Sequence, residues 1–183
     1  MHSDRVLMRR IGQGDEEAAS ELVLRHGGRM RAVAARLLGS RADAEDAVQR
    51  AFVQCLTAAA TYRPEWAVST WLYRILSNIC VDEIRRRRVR LRFEAAGQDD
   101  ARDGRPGPAG GRGTAESAGA RIDLQRALAK VPTEARLLLV LRYVDGLSYG
   151  ELAQVRGISV NTVKSQLARG KSILRTALEE ERT

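Results

Sequence analysis

The sequence predicts an all-α protein: two small helical domains joined by a flexible linker, the C-terminal one a helix-turn-helix. Three observations carry that expectation. Apolar residues recur at spacings of three, four and seven along most of the chain, the helical period. The composition is rich in Ala, Leu and Arg and holds only 4% Phe, Trp and Tyr, which favours helices. Between residues 94 and 121 (EAAGQDDARDGRPGPAGGRGTAESAGAR) the periodicity stops and Gly, Pro, Ala and Asp take over, the composition of a tether. The expected division is therefore 1–93, 94–121 and 122–183. In a chain of 183 residues, two such domains each have a modest core, which suits helices better than a large sheet.

The elements follow in order. A first helix, about Asp4 to Ile11, carries Val6, Leu7 and Ile11 and stops at Gly12-Gln13-Gly14. A second opens on Asp15, Glu16 and Glu17, where acids suit a helix N-terminus. Val23, Met30 and Leu37 give it a core stripe, and Gly27-Gly28 is expected to interrupt it. The third helix, about Asp43 to Ala59, has an apolar stripe of Ala44, Ala47, Val48, Ala51, Phe52, Cys55 and Leu56. Asp43, Glu45 and Asp46 crowd its first turn. Dipole compensation explains them; paired carboxylates could also hold a metal or transfer protons, but no His, Lys or further acid accompanies them.

Residues 61–70 (TYRPEWAVST) read as a loop. Tyr62, Arg63 and Trp66 put rings beside a cation, as single-stranded bases favour. The same rings could instead plug a small core. The fourth helix, about Trp71 to Arg88, turns Leu72, Ile75, Leu76, Ile79 and Ile84 inward. Arg74, Asn78, Val81, Asp82, Arg85 and Arg88 share another face. Six arginines lie between Arg85 and Arg92, more than one helix end needs for its dipole, so phosphate is the expected partner. After the tether, helices are expected over about Ile122 to Val131 and Glu134 to Val144, separated by Pro132.

Leu147 to Arg175 (LSYGELAQVRGISVNTVKSQLARGKSILR) reads as two short helices and a tight turn. Ser148 and Glu151 have the spacing of a capping box. Gly157 supplies the positive φ of the turn, and Ser159 caps the second helix. Val160, Val163 and Leu167 fall on one arc. Asn161, Thr162, Ser165 and Arg169 fall on the other, with Lys164 and Gln166 beside them. A polar, partly cationic arc suits base edges and phosphates. Arg156 stands before the turn glycine, where such motifs usually carry an aliphatic; its stem is expected to cover the core and its head to reach solvent.

The net charge is +8 and the pI about 10.3, a balance that points to a polyanion. Residues 1–93 hold 17 basic and 11 acidic side chains, the tether 4 and 5, and residues 122–183 10 and 7. Both flanking domains are thus basic. Cys55 and Cys80 sit inside apolar helical patterns and read as buried hydrophobes. Two histidines are too few for a metal cluster, so no metal and no cofactor is expected. No apolar run reaches the roughly 18 residues of a membrane span, and no signal peptide is visible, so the expected place is the cytoplasm.

Taken together, the chain resembles the extracytoplasmic-function sigma factors, the small promoter-specificity subunits of bacterial RNA polymerase. The likeness rests on residues 43–56 (DAEDAVQRAFVQCL), 69–88 (STWLYRILSNICVDEIRRRR) and 140–175 (VLRYVDGLSYGELAQVRGISVNTVKSQLARGKSILR) in this order and spacing. The resemblance implies that Asp43, Glu45, Asp46, Gln49 and Phe52 dock on the coiled coil of the polymerase clamp. It implies that the Tyr62–Thr70 loop and the fourth helix melt and read the −10 element. Tyr62, Trp66, Thr70 and Trp71 would then meet bases, and Arg63, Arg74, Asn78, Arg85 and Arg88 bases or phosphates. Lys164, Ser165 and Arg169, with Asn161 and Thr162 beside them, would read −35. The second domain would also sit on the polymerase flap. An anti-sigma factor would be the regulator, in a stress or envelope response. The chain departs from the family at Arg50, where an acid is common, at Val68-Ser69, where an aromatic is common, and at Arg156. Two other readings remain open: a free-standing helix-turn-helix regulator of duplex DNA, and a nuclease using Asp43, Glu45 and Asp46.

Overall fold

The computed structural model describes residues 3–63, 65–96 and 115–181. Eight α-helices and one 3-10 turn make up the regular structure of those residues, with no strand among them: α1 (Asp4–Ile11), α2 (Glu16–Leu38), α3 (Arg41–Thr57), a 3-10 turn (Ala59–Thr61), α4 (Val68–Ala96), α5 (Ala115–Lys130), α6 (Thr133–Val144), α7 (Tyr149–Arg156) and α8 (Val160–Glu181). Most of the predicted tether, residues 97–114, lies outside the described residues.

Side chains in the preceding turns start several helices. The Asp15 carboxylate accepts the Ala18 amide at 3.0 Å, and Ser40 accepts the Asp43 amide. Each satisfies an amide that has no partner within its own helix. α1 is then pinned to α2, because Asp4 accepts from both Arg25 and His26. Leu7, Met8, Leu22, Met30, Val33, Phe52, Leu72 and Leu76 build the first core.

α2 is a single helix from Glu16 to Leu38, so the expected interruption at Gly27-Gly28 is corrected. Buried residues on both sides of the glycines, Leu22 and Met30 among them, hold the helix to α3 and α4 through the weak point. α4 begins at Val68 and continues to Ala96, beyond the predicted Arg88. α5 begins at Ala115, ahead of the predicted Ile122. Both extensions lack apolar periodicity, which is why pattern alone stopped short of them.

In the second half, Leu137, Leu138, Leu141, Leu152, Val163 and Leu167 are buried together. Arg136, 7% exposed, donates to the carbonyls of Ala129 and Val131 at 3.0 and 3.1 Å. It thereby satisfies carbonyls that the end of α5 leaves unpaired. Burial, and next the charge of Arg88, lowers its pKa. Gly170 lets α8 cross α6 closely: a Cβ there would lie 3.1 Å from both Ala135 and Leu139. The two halves also pack on each other, α6 against α2 and α7 against α4.

Candidate nucleic-acid interface

The α7–α8 unit forms as its spacing predicts. Ser148 and Glu151 close a reciprocal capping box, with the Ser148 amide donating to Glu151 Oε2 at 2.8 Å and the Glu151 amide to Ser148 Oγ at 3.2 Å. Gly157 takes φ +65°, the left-handed region where a side chain would be strained. The Thr162 amide donates to Ser159 Oγ at 3.1 Å and starts α8.

Val163 and Leu167 are buried, at 0% and 2% exposure. Val160, expected beside them, is 39% exposed; in the first position of α8 it lies past the reach of the α6–α7 core. Asn161, Lys164, Ser165 and Arg169 are exposed and Thr162 is half-buried. The Ser165 hydroxyl turns back to the Thr162 carbonyl at 3.0 Å. The result is a projecting helix edge with two cations and short polar side chains.

The second surface joins the loop after the 3-10 turn to α4. The Tyr62 hydroxyl donates to the Trp66 carbonyl at 2.5 Å, and its ring centre lies 5.3 Å from that of Trp71. The Arg74 guanidinium sits over Trp66. So the structure gathers Tyr62, Trp66, Trp71 and Arg74, with Arg63 exposed nearby in the chain. Tyr62 and Trp71 pack against the core, as the plugging reading expects, yet both stay half-exposed.

Arg85 and Arg88 are exposed further along α4. Thr70 does not join them. It is 1% exposed and its hydroxyl is buried without a hydrogen-bond partner, because its position on the helix falls toward the side that other elements cover. Asn78 is exposed but engaged, accepting from Arg156 at 3.2 Å. Arg156 also grips Glu134. Its head was expected in solvent and is instead tied to two partners.

The acids of α3 are spread out rather than gathered. Asp43 pairs with Arg87, Glu45 with Arg41 at 3.1 Å, and Asp46 with Arg50 at 3.6 Å. The Asp43 carboxyl is held below its usual pKa, chiefly by its bond with Ser40 and then by Arg87, against the opposing effect of burial. Each acid has its own arginine, an arrangement for surface charge rather than for one metal or one proton transfer. No three His, Cys, Asp or Glu side chains gather for a metal among the described residues.

Gln49 is exposed beside Asp46, but Phe52 is 6% exposed and part of the core. The exposed apolar side chain in register with Asp46 and Gln49 is Val53, at 58%. The spacing of four and seven from those residues was the signal. Arg87 was likewise grouped with its basic neighbours. It is structural, donating to Glu83 and to the Leu38 carbonyl at 3.1 Å as well as pairing with Asp43. Cys55 and Cys80 are free and fully buried, and burial pushes each thiol up to about 12. No helix among the described residues is long and apolar enough to cross a membrane.

Comparison with known proteins bears on these surfaces. The family profile of Sigma-70 region 2 matches residues 22–90, and that of Sigma-70, region 4 matches residues 121–174. The ECF RNA polymerase sigma factor SigE of Mycolicibacterium smegmatis is 37% identical over 90% of this chain, which spans 64% of that protein's length. The ECF RNA polymerase sigma factor SigW of Bacillus subtilis is 30% identical, covering 94% of this chain and 95% of its own length. Among solved structures, CnrH in complex with the cytosolic domain of CnrY superposes with a TM-score of 0.73 at 27% identity, over 98% of this chain and 99% of CnrH. The sigma factor RpoE of Bartonella quintana, solved with the anti-sigma factor NepR, has the same fold at a TM-score of 0.66 and 22% identity, over 87% and 96% of the two chains.

Proposed function

The chain belongs to the extracytoplasmic-function sigma factors of the sigma-70 family and directs RNA polymerase to promoters; from that premise we propose which residues do the work. Residues 1–93 bind core polymerase and capture the −10 element, residues 94–121 are the tether, and residues 122–183 read −35. The role is non-catalytic. The protein aligns two readers, and its binding energy offsets the cost of opening the duplex.

The observation that carries this reading is the cluster of Tyr62, Trp66, Trp71 and Arg74, in a chain that also holds a complete helix-turn-helix. A simple duplex-binding regulator has no use for the first of these. Unstacking a base step costs a few kcal/mol. Stacking each freed base on an aromatic returns about 1–3 kcal/mol, so a few rings and cations are the right scale. Arg63, Arg74, Asn78, Arg85 and Arg88 supply phosphate and base contacts along the same strand. Lys164, Ser165, Arg169, Asn161 and Thr162 face the major groove at −35.

Asp46, Glu45 and Gln49, with Val53, form the polar and apolar face that meets the clamp. An apolar groove of about 590 Å³ lies mostly on the second domain, lined by Leu124, Leu128, Tyr143, Val144 and Leu174; Lys171, Arg175 and Glu179 edge it together with Arg36 of the first domain. That chemistry suits an acidic amphipathic segment, as on the polymerase flap or an anti-sigma factor. Control by an anti-sigma factor, in a stress or envelope response in the cytoplasm, completes the reading.

The test is gel filtration of the purified protein with bacterial core RNA polymerase at moderate salt. A stoichiometric complex is expected. Failure to co-elute, with tight duplex binding by the free protein, would replace this reading with that of a free-standing regulator.

A further inference from the structure

Arg156 ends α7 at a position where helix-turn-helix motifs usually bury an aliphatic. Its side chain is 15% exposed. Nε and Nη2 donate to the two carboxylate oxygens of Glu134, each at 3.0 Å, a two-pronged geometry that fixes the plane of a guanidinium. The remaining nitrogen, Nη1, donates to Asn78 Oδ1 on α4 at 3.2 Å. Glu134 therefore holds Arg156 in a pose that reaches the first domain.

Polar groups meet at two other places along the same boundary. The buried Tyr73 hydroxyl lies near Asp145, and burial first and that carboxyl after it raise its pKa. Gln125 Nε2 donates to the Arg36 carbonyl at 3.0 Å. Both halves carry net positive charge, which opposes their association. Apolar packing of α6 on α2 and of α7 on α4 offsets that repulsion, and the polar contacts fix the pose in which the two halves meet. Meanwhile the α4 face expected to read DNA is partly covered: Val81, on that face, is 4% exposed and Thr70 1%, while α7 packs on α4.

We propose that Arg156 is the pin of an intramolecular latch: oriented by Glu134, it ties the helix-turn-helix domain to α4 and withdraws Asn78 from DNA until core polymerase draws the domains apart. The masking half rests on the assignment of Asn78 to −10 reading; the latch itself does not. Two readers held against each other cannot address promoter elements more than two DNA turns apart, at about 34 Å per turn. Opening is thus required for function, and the latch makes the free protein a poor reader.

The experiment measures the distance between the domains in the full-length free chain. Dyes are attached at Leu24→Cys and Ser172→Cys, both exposed positions. Cys55 and Cys80 stay unlabelled because they are fully buried with thiols near 12. Wild type is expected to show one narrow, short distance. Arg156→Leu, which restores the usual aliphatic, shifts it to a broad, longer distribution, as does added core polymerase on the wild type.

Asn78→Ala breaks the same bond from the other domain and leaves the Glu134 pair in place, so a folding defect in one variant does not decide the matter. Arg156→Leu also binds a short A/T-rich single-stranded oligodeoxynucleotide more tightly. The gain is about 10-fold if the open fraction rises from roughly a tenth to near one. An unchanged distance in both variants overturns the latch and leaves the −10 assignment untouched. A widened distance without tighter binding overturns the masking and counts against Asn78 as a −10 contact.

Discussion

The guanidinium of Arg74 lies over the ring of Trp66, 4.8 Å from its centre, so α4 and the loop before it present one surface rather than two. A cation on the face of an indole is attracted by the ring's quadrupole. In the proposed reading the same cation meets the phosphate beside a stacked base. Arg74→Ala is expected to weaken capture of the −10 strand by holoenzyme and to lower the salt slope by about 0.7, the value for one single-strand phosphate contact. Anisotropy titrations of a labelled non-template strand at several salt concentrations measure this. An unchanged slope would leave Arg74 as a support for Trp66 and nothing more.

Phe52 and Val53 are neighbours in sequence with opposite fates, one in the core and one in solvent. Val53→Asp should therefore leave the melting temperature nearly unchanged and weaken binding to core polymerase by about tenfold, an effect of about 1.4 kcal/mol. Phe52→Ala should do the reverse at first sight of heat or urea, losing about 3–5 kcal/mol of stability. Binding assays on Val53→Asp and urea titrations on Phe52→Ala separate the two. If Val53→Asp binds core polymerase as wild type does, the exposed face of α3 is not the docking face.

Much of this was readable in advance where the determinants are local. The Ser148–Glu151 box, Gly157 and the Ser159 cap lie within a dozen residues of one another, and the structure forms each of them. What escaped is long-range. Arg156 meets Glu134, 22 residues away, and Asn78, 78 residues away; spacing along one helix says nothing about either. Arg87 looked like one of six equal arginines until Asp43 and the Leu38 carbonyl claimed it. Val81 shared a face with Arg74 and Asn78 by angle, and Thr70 was expected in a loop, yet both are buried, because a face that is outward for a helix need not be outward for the protein. Phe52 stood both in the apolar stripe and among the expected docking residues, and the packing puts its ring in the core, since a residue between the core stripe and the polar face belongs to either until the packing is known.

Asp43 and Arg87 make a pH-dependent tie between α3 and α4. The Asp43 carboxyl is held below the usual carboxylate range in the folded protein, by its bond with Ser40 first and by Arg87 after it, against the opposing effect of burial. A carboxyl with a depressed folded pKa stabilises the fold fully above its unfolded value and loses that contribution as pH falls through the folded one. The stability difference between wild type and Asp43→Ala should thus be constant near neutrality and shrink below about pH 3.8. Urea titrations of both proteins from pH 7 to pH 3 test it. A difference that stays level across that range would show that capping geometry, not charge, sets the contribution of Asp43.

Trp71 couples the loop to α4 through its ring contact with Tyr62, at 5.3 Å between centres. It is half-exposed and also packs on the core, so its removal must be read on two scales at once. A ring that only supports the fold would, when cut to alanine, lower melting temperature, core binding and promoter opening together. A ring that also stacks a freed base would lower opening beyond the rest. The loss expected for one base stack is about 1–3 kcal/mol, or roughly 5- to 150-fold in the open-complex equilibrium at 25 °C by the usual conversion. Permanganate reactivity of unpaired thymines measures opening, and gel filtration measures association with core polymerase. With Trp71→Ala, opening should fall within that range while core binding changes less than about twofold, a difference under roughly 0.5 kcal/mol. Equal losses in both would assign Trp71 to the core and move the stacking role to Trp66, whose ring lies under Arg74.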